Sequence, residues 1–212
     1  MSSIVQQIVA GALAASGPEQ VATVLGLLFV VLAMRESLWN FPVGLVQAAI
    51  FGWVCFEGKL YSETVLQALF FSAMIYGWWH WTHGGRDAQP LAVQRLSTRR
   101  RLAWMAGTLV LWGAWGGCMA RFTDAALPWW DGFVFATSVA SQWLQSRKAL
   151  ENWVGWIVAN TVGIGVFWAK GFYWFAALYF LFWLLAWAGL RAWRRSEAET
   201  RRLETKTGAE AE

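Results

Sequence analysis

Seven stretches of this 212-residue chain contain no Asp, Glu, Lys or Arg: 20–34, 37–56, 64–85, 102–120, 132–146, 152–169 and 171–190. Crossing a bilayer takes roughly 20 mostly apolar residues, within a range of about 17–25. Five stretches reach that length. The two shorter ones, 20–34 and 132–146, are expected to gain reach from snorkelling flanks such as Arg35 and Arg147. Only 14% of the chain is charged, against about a quarter in a soluble domain. A soluble bundle is excluded, because helices apolar all round would leave nothing to face water. The expected fold class is all-α integral membrane, with seven transmembrane helices.

The net charge of +4 reflects sidedness rather than nucleic-acid binding. With seven crossings, one side takes the N-terminus and holds only Lys59, Arg121 and Lys170. The other takes the remaining fourteen basic residues, from Arg35 through Arg95, Arg99–Arg101, Arg147 and Lys148 to Arg191, Arg194, Arg195, Arg201, Arg202 and Lys206. Basic loops stay cytoplasmic, so the N-terminus is expected outside and the C-terminus inside. Residues 1–18 have an apolar run with no basic residue before it, unlike a secretory signal, and read as a periplasmic interfacial helix. Pro18 stands where a first spanning helix would start, and its missing N–H costs nothing there. Residues 194–212 read as a frayed cytoplasmic helix or a disordered tail. Cys55 and Cys118 read as free, buried thiols.

The chain resembles itself at a fixed offset, the separation between Arg35 and Arg147. Arg35, Leu38 and Asn40 answer Arg147, Leu150 and Asn152; Tyr61, Gly77 and Trp81 answer Tyr173, Gly189 and Trp193; with a one-residue slip, Gln47 and Gly58 answer Asn160 and Gly171. The expected organisation is a periplasmic segment 1–18, a three-helix repeat 19–83, a basic cytoplasmic loop 84–101, a linker helix with its outer loop 102–128, a second three-helix repeat 129–193 and the tail 194–212. Three helices reverse the direction of the chain. The linker helix therefore lets both repeats face the same way, a parallel arrangement used by some transporters.

Polar side chains within a membrane need partners, so they mark interhelical contacts or a substrate path. Asn152, Trp156, Asn160 and Gly163 recur at helical spacing on one face, as do Asn40, Gly44, Gln47 and Phe51. The preceding helix carries Ser138, Ser141, Gln142 and Gln145. Amides beside large aromatics suit a ligand with a flat ring, a carboxamide and hydroxyls. Indole faces stack on the ring, more strongly on a cationic one, and amides reject analogues that lack the polar edge. Each amide alone is interhelical glue as readily as a ligand contact. Trp104, Trp129, Trp130 and Trp193 lie at helix ends and read as interface-belt residues.

No spanning stretch holds a mid-membrane charge, the usual means of proton or ion coupling, so uncoupled downhill passage is expected. His80 and His83 lack the further ligands zinc requires and read as interface residues. No nucleophile-and-base pair appears. Catalytic residues, metal and cofactor are all expected to be none.

The segment QWLQSRKALENWVGWIVANTVGIGVFWAKG, from Gln142 to Gly171, resembles the PnuC family of vitamin transporters, as does WNFPVGLVQAAIFGWVCFEGKLYSE from Trp39. The resemblance covers about residues 20–193. It implies a three-plus-one-plus-three helix fold like that of the sugar transporters called SWEETs, often a homotrimer. It also implies uptake of nicotinamide riboside across the inner membrane by facilitated diffusion, with a cytosolic ribosylnicotinamide kinase trapping the substrate. By family position Trp156, Asn160 and Gln47 are the first substrate-binding candidates, followed by Asn152, Gln142 and Trp39. Family members specialised for thiamine or riboflavin leave the vitamin open, and a non-transporting membrane scaffold is the alternative from another class.

Overall fold

The computed structural model describes residues 2–85 and 91–210. Among them lie eight helices: α1 Ser2–Ala14, α2 Gly17–Met34, α3 Asn40–Glu57, α4 Tyr61–His83, α5 Thr98–Phe122, α6 Pro128–Ser146, α7 Glu151–Ala169 and α8 Tyr173–Glu210. Each helix from α2 to α8 falls on one charge-free stretch. The two short stretches gain their length at their N-terminal ends, giving α2 of 18 and α6 of 19 residues. Pro18 and Pro128 stand in those first turns, and Ser16 and Glu19 form a reciprocal capping box. Arg35 and Arg147 are simply the C-caps. Residues 98–101, expected in a loop, form the first turn of α5, capped by Ser97. The expected tail continues α8 as helix, and Glu197 is only 4% exposed there, held by Arg95 and Arg201 at 2.8 Å each.

By length and composition, α2, α3, α5 and α8 are long and apolar enough to cross a membrane. Helices α4, α6 and α7 fall below that apolarity. They carry the amides, hydroxyls and histidines, and α6 in particular turns much of its polar surface inward.

The helices close a ring. α2 packs on α3, α3 on α4, α4 on α6, α6 on α7, α7 on α8, and α8 returns to α2. Helix α5 stands outside this ring against α6, and α1 lies on α8.

Local structure recurs around the ring at the offset seen in the sequence. Four helices end in the same left-handed cap, with Glu36 (φ 55°) answering Lys148 (φ 54°) and Lys59 (φ 57°) answering Gly171 (φ 77°). In each, the next N–H returns to a carbonyl five residues back: Ser37 to Leu32, Ala149 to Leu144, Leu60 to Cys55, Phe172 to Phe167. The Asn40 and Asn152 amides both donate to the third carbonyl before them, of Ser37 and Ala149. Helices α3 and α7 thus match in register at both ends. The one-residue slip expected between them is absent, because an extra residue would need a bulge. Gln47 therefore answers Ala159, and Asn160 answers Ala48.

An aromatic cluster joins the two halves. Trp81 donates from Nε1 to the Gln145 carbonyl (3.2 Å), and Trp193 to that of Ala33 (3.0 Å). Phe41 meets Trp81 edge-on at 5.1 Å, Trp153 meets Trp193 edge-on at 5.5 Å, and Trp81 and Trp193 touch at 5.8 Å. Trp193 is 0% exposed. The interface-belt assignment is therefore wrong for Trp193: α8 continues well beyond it, and the indoles of Trp81 and Trp153 pack on its ring. Gly77 and Gly189 let these rings approach. A Cβ at Gly77 would stand 2.7 Å from the Phe41 ring, and one at Gly189 2.5 Å from that of Trp153. Cys55 is buried and free, whereas Cys118 is exposed on the outlying α5, contrary to expectation.

The end of the bundle bearing Arg35 and Arg147, termed the basic end below, is covered by a strap of residues 91–97. Leu91 and Val93 are buried in the core. Gln94 pairs through its backbone with Lys148 and Leu150, and the Leu96 N–H donates to the Glu151 carboxylate. Lys148 Nζ reaches Glu36 at 2.8 Å, donates to the Leu91 carbonyl at 2.6 Å and sits 4.8 Å above the Trp81 ring. This ion pair links two residues in the same unusual backbone conformation, whose cost of about 1–2 kcal/mol each it helps offset.

Gly77→Ala and Gly189→Ala are each expected to destabilise the protein by about 1–3 kcal/mol through overpacking. Thermal unfolding in detergent should show a lowered midpoint for both, of similar size.

Candidate binding site

The polar interior of the ring is built mainly by α6. Its positions 138, 141, 142 and 145 recur at helical spacing, and Ser138, Ser141, Gln142, Gln145 and Ser146 are all buried. Thr137 Oγ1 is buried without a partner, but two serine hydroxyls are satisfied: Ser141 donates to the Thr137 carbonyl (2.6 Å), and Ser146 to that of Ala73 on α4 (2.7 Å). The amides are not. Gln145 Oε1 accepts from Trp156 Nε1 (3.2 Å), but Gln145 Nε2 and Gln142 Nε2 are buried without a partner. So is Gln67 Oε1 on α4. An unpaired buried polar atom costs about 1–3 kcal/mol, so the four on α4 and α6 need an explanation.

The structure places the six sequence candidates unevenly. Trp156 packs against the core cluster, edge-on to Phe70 of α4 at 5.9 Å. Asn160, one turn further along α7, is 6% exposed and faces inward with Trp156. Gln142 is 2% exposed on the adjoining α6. Gln47 is half-buried on α3, across from Gly26 of α2, where an added Cβ would lie 3.8 Å from Gln47 Cγ. Asn152 is fully buried, but its N–H donor serves the turn before α7, as that of Asn40 does at the equivalent place. Trp39 is set apart, 71% exposed beside the start of α3. Sequence reading passed over Gln67. The signal was available, as an amide within the charge-free stretch 64–85.

Two cavities lie outside this group. One of about 320 Å3 is at the basic end, between α4, α5 and the strap. The other, about 260 Å3, is apolar and lies among Leu127, Trp130, Thr161 and Gly165. Neither is lined by Gln47, Gln142, Trp156 or Asn160. The Trp156–Gln145 hydrogen bond joins α6 and α7 into a patch of indole, amide and hydroxyl that can stack on a ring and hydrogen-bond its edge, whereas Gln47 packs against α2 and the half-buried Glu63 of α4 stands one turn from Gln67.

Comparison with known proteins decides what kind of molecule this is. The family described as nicotinamide mononucleotide transporter matches residues 16–195. The chain belongs to that family. Within the nicotinamide mononucleotide transporter family, it is 30% identical to the nicotinamide riboside transporter PnuC of Escherichia coli, over 85% of this chain and 86% of that protein. It is 27% identical to the riboflavin/roseoflavin transporter RibM of Streptomyces davaonensis, over 86% and 87%. A crystal structure of the vitamin B3 transporter PnuC superposes with a TM-score of 0.71 at 22% identity, covering 92% of this chain and 90% of that one. The fold is that of an all-α membrane transporter, and the family and its relatives are transporters, not enzymes.

The orphan amides separate a binding role from a packing role. Gln142→Leu removes a buried donor without a partner, so stability in detergent should stay level or rise by about 1 kcal/mol. A fall of about 2 kcal/mol or more, the cost of stripping a partner from a buried polar group, would mark Gln142 as interhelical glue.

Proposed function

We propose that the protein carries nicotinamide riboside across the inner membrane by facilitated diffusion. The observation behind this reading is the group of Trp156, Asn160, Gln142 and Gln145, with two amide donors buried and unpaired. Nicotinamide riboside offers a cationic pyridinium, a carboxamide and ribose hydroxyls. The indole face of Trp156 stacks on the pyridinium. The amides of Asn160 and Gln142, with Gln47 from the facing half, hydrogen-bond the carboxamide and ribose. Asn152 fixes the start of α7 through its N–H donor and keeps a free acceptor in Oδ1, and on this reading Trp39 lies outside the site.

On this reading α2–α8 all span the membrane, with the basic end cytoplasmic, the N-terminus outside and the C-terminus inside. α2–α4 and α6–α8 form two same-facing repeats, and α5 is the linker. The ring supports it: the α4–α6 contact has its counterpart in α8–α2, as an axis along the membrane normal requires. The repeats rock about the site and expose it to each side in turn. Net uptake is drawn by phosphorylation of the substrate in the cytosol by a ribosylnicotinamide kinase. The working unit is a homotrimer. The similarity to a riboflavin carrier favours one competing reading, a different vitamin in the same site. Competition by unlabelled riboflavin or thiamine separates the two.

Trp156→Ala and Asn160→Ala should each weaken nicotinamide riboside binding at least tenfold, about 1.4 kcal/mol, with unfolding still cooperative. Wild-type affinity in either folded variant would refute the site. In liposomes, uptake should be indifferent to an imposed sodium or proton gradient at fixed membrane potential, and a gradient-dependent rate would contradict facilitated diffusion.

A further inference from the structure

The cavity of about 320 Å3 at the basic end is unused by the proposed substrate site. Its walls include Tyr76 and His80 of α4, Gln94 of the strap, Arg100 and Trp104 of α5, and Arg147 at the end of α6. Basic residues at this end are expected on any membrane protein. Two features set these apart. The first is shape, since the two exposed arginines line a half-open concavity of ligand size. The second is charge balance. The neighbouring carboxylates are taken: Glu36 by Lys148, Glu151 by Arg101, and Glu197 by Arg95 and Arg201. Arg100 and Arg147, the two that line the cavity, pair with no carboxylate among the described residues.

The walls are also ordered in advance. Tyr76 is stacked between His80 (5.4 Å, 11°) and Trp143 (5.0 Å, 4°). Arg147 Cζ lies 5.7 Å over the Trp143 ring, which leaves its N–H edge available. Gln94 Nε2 donates to the Arg147 carbonyl at 3.1 Å, tying the strap to that wall. Trp104 follows Arg100 by one turn on the same face of α5. Two guanidinium groups favour phosphoryl oxygens through charge-assisted, fork-shaped hydrogen bonds, and the aromatic walls favour a flat or apolar portion beside them.

We propose that this cavity binds a phosphate-bearing ligand, with its phosphoryl group between Arg100 and Arg147 and the rest of it along Trp104 and Tyr76. Two sources share this chemistry. One is the phosphorylated form of the carried nucleoside, whose presence on this side rests on the function proposed above. The other is the headgroup of an anionic phospholipid. Either would touch the strap, α4, α5 and α6 together.

The test uses the full chain in phosphatidylcholine nanodiscs, titrated with nicotinamide mononucleotide and separately with nicotinamide riboside. A nucleotide source requires saturable mononucleotide binding, weakened at least tenfold by Arg100→Ala, with riboside affinity unchanged in that variant. In discs containing phosphatidylglycerol, a lipid source requires copurified phosphatidylglycerol that native mass spectrometry detects on the wild type and not on Arg100→Ala. Either result supports the site. If mononucleotide binding and phosphatidylglycerol retention are both the same in wild type and Arg100→Ala, the proposal is overturned. Riboside binding is read independently. Its absence in the wild type contradicts the carrier reading and leaves the phosphate comparison intact.

Discussion

An amide without a hydrogen-bond partner is more exacting inside a membrane bundle than in a soluble core, because hydrocarbon supplies no water to complete it. The ring of helices nevertheless keeps the Gln142 and Gln145 donors and the Gln67 acceptor unpaired. They persist because the surrounding packing fixes them. Ser146 is bonded to α4, Trp81 of α4 is bonded to the backbone of Gln145, and Trp156 holds the other end of the Gln145 side chain. On the carrier reading, a site made this way is stiff and has hydrogen-bonding capacity to spare, which suits recognition of a polar-edged ring.

The aromatic contact between Trp81 and Trp193 and the ion pair between Glu36 and Lys148 both link residues that occupy equivalent places in the two halves. On the carrier reading, contacts of this kind lie where the two repeats meet, so a rocking motion must preserve them as a pivot or break them as a gate. The indole pair is enclosed and anchored by backbone hydrogen bonds at both rings, the character of a pivot. The ion pair is joined to the strap through Leu91 and is partly accessible, the character of a gate. On the carrier reading, release at the basic end requires Leu91 and Val93 to withdraw from the core.

Much of this was legible in the sequence, because lipid imposes simple rules. Absence of charge marked the places of α2 to α8, seven of the eight described helices, and the internal echo of Arg35 in Arg147 anticipated the recurring caps at Glu36 and Lys148. The limits are equally physical. The strap carries no periodic pattern, since its order comes from tertiary pairing with Lys148, Leu150 and Glu151. Trp193 was misplaced because position near a helix end does not reveal what covers a side chain. The slip between Gln47 and Asn160 arose from matching residue types where backbone caps govern register. The amide of Asn152 looked like its neighbours in sequence, and only geometry shows that its donor is committed to a turn while its Oδ1 stays buried and unpaired. The exposure of Trp39 was not legible either, as its family position carried no information about what covers it.

The most direct measurement is a structure determined with nicotinamide riboside bound. The account requires the ligand inside the ring, its pyridinium against Trp156 and its carboxamide or ribose within hydrogen-bond distance of Asn160 and the Gln142 amide. A ligand resolved elsewhere, with those amides still unpaired, would contradict it.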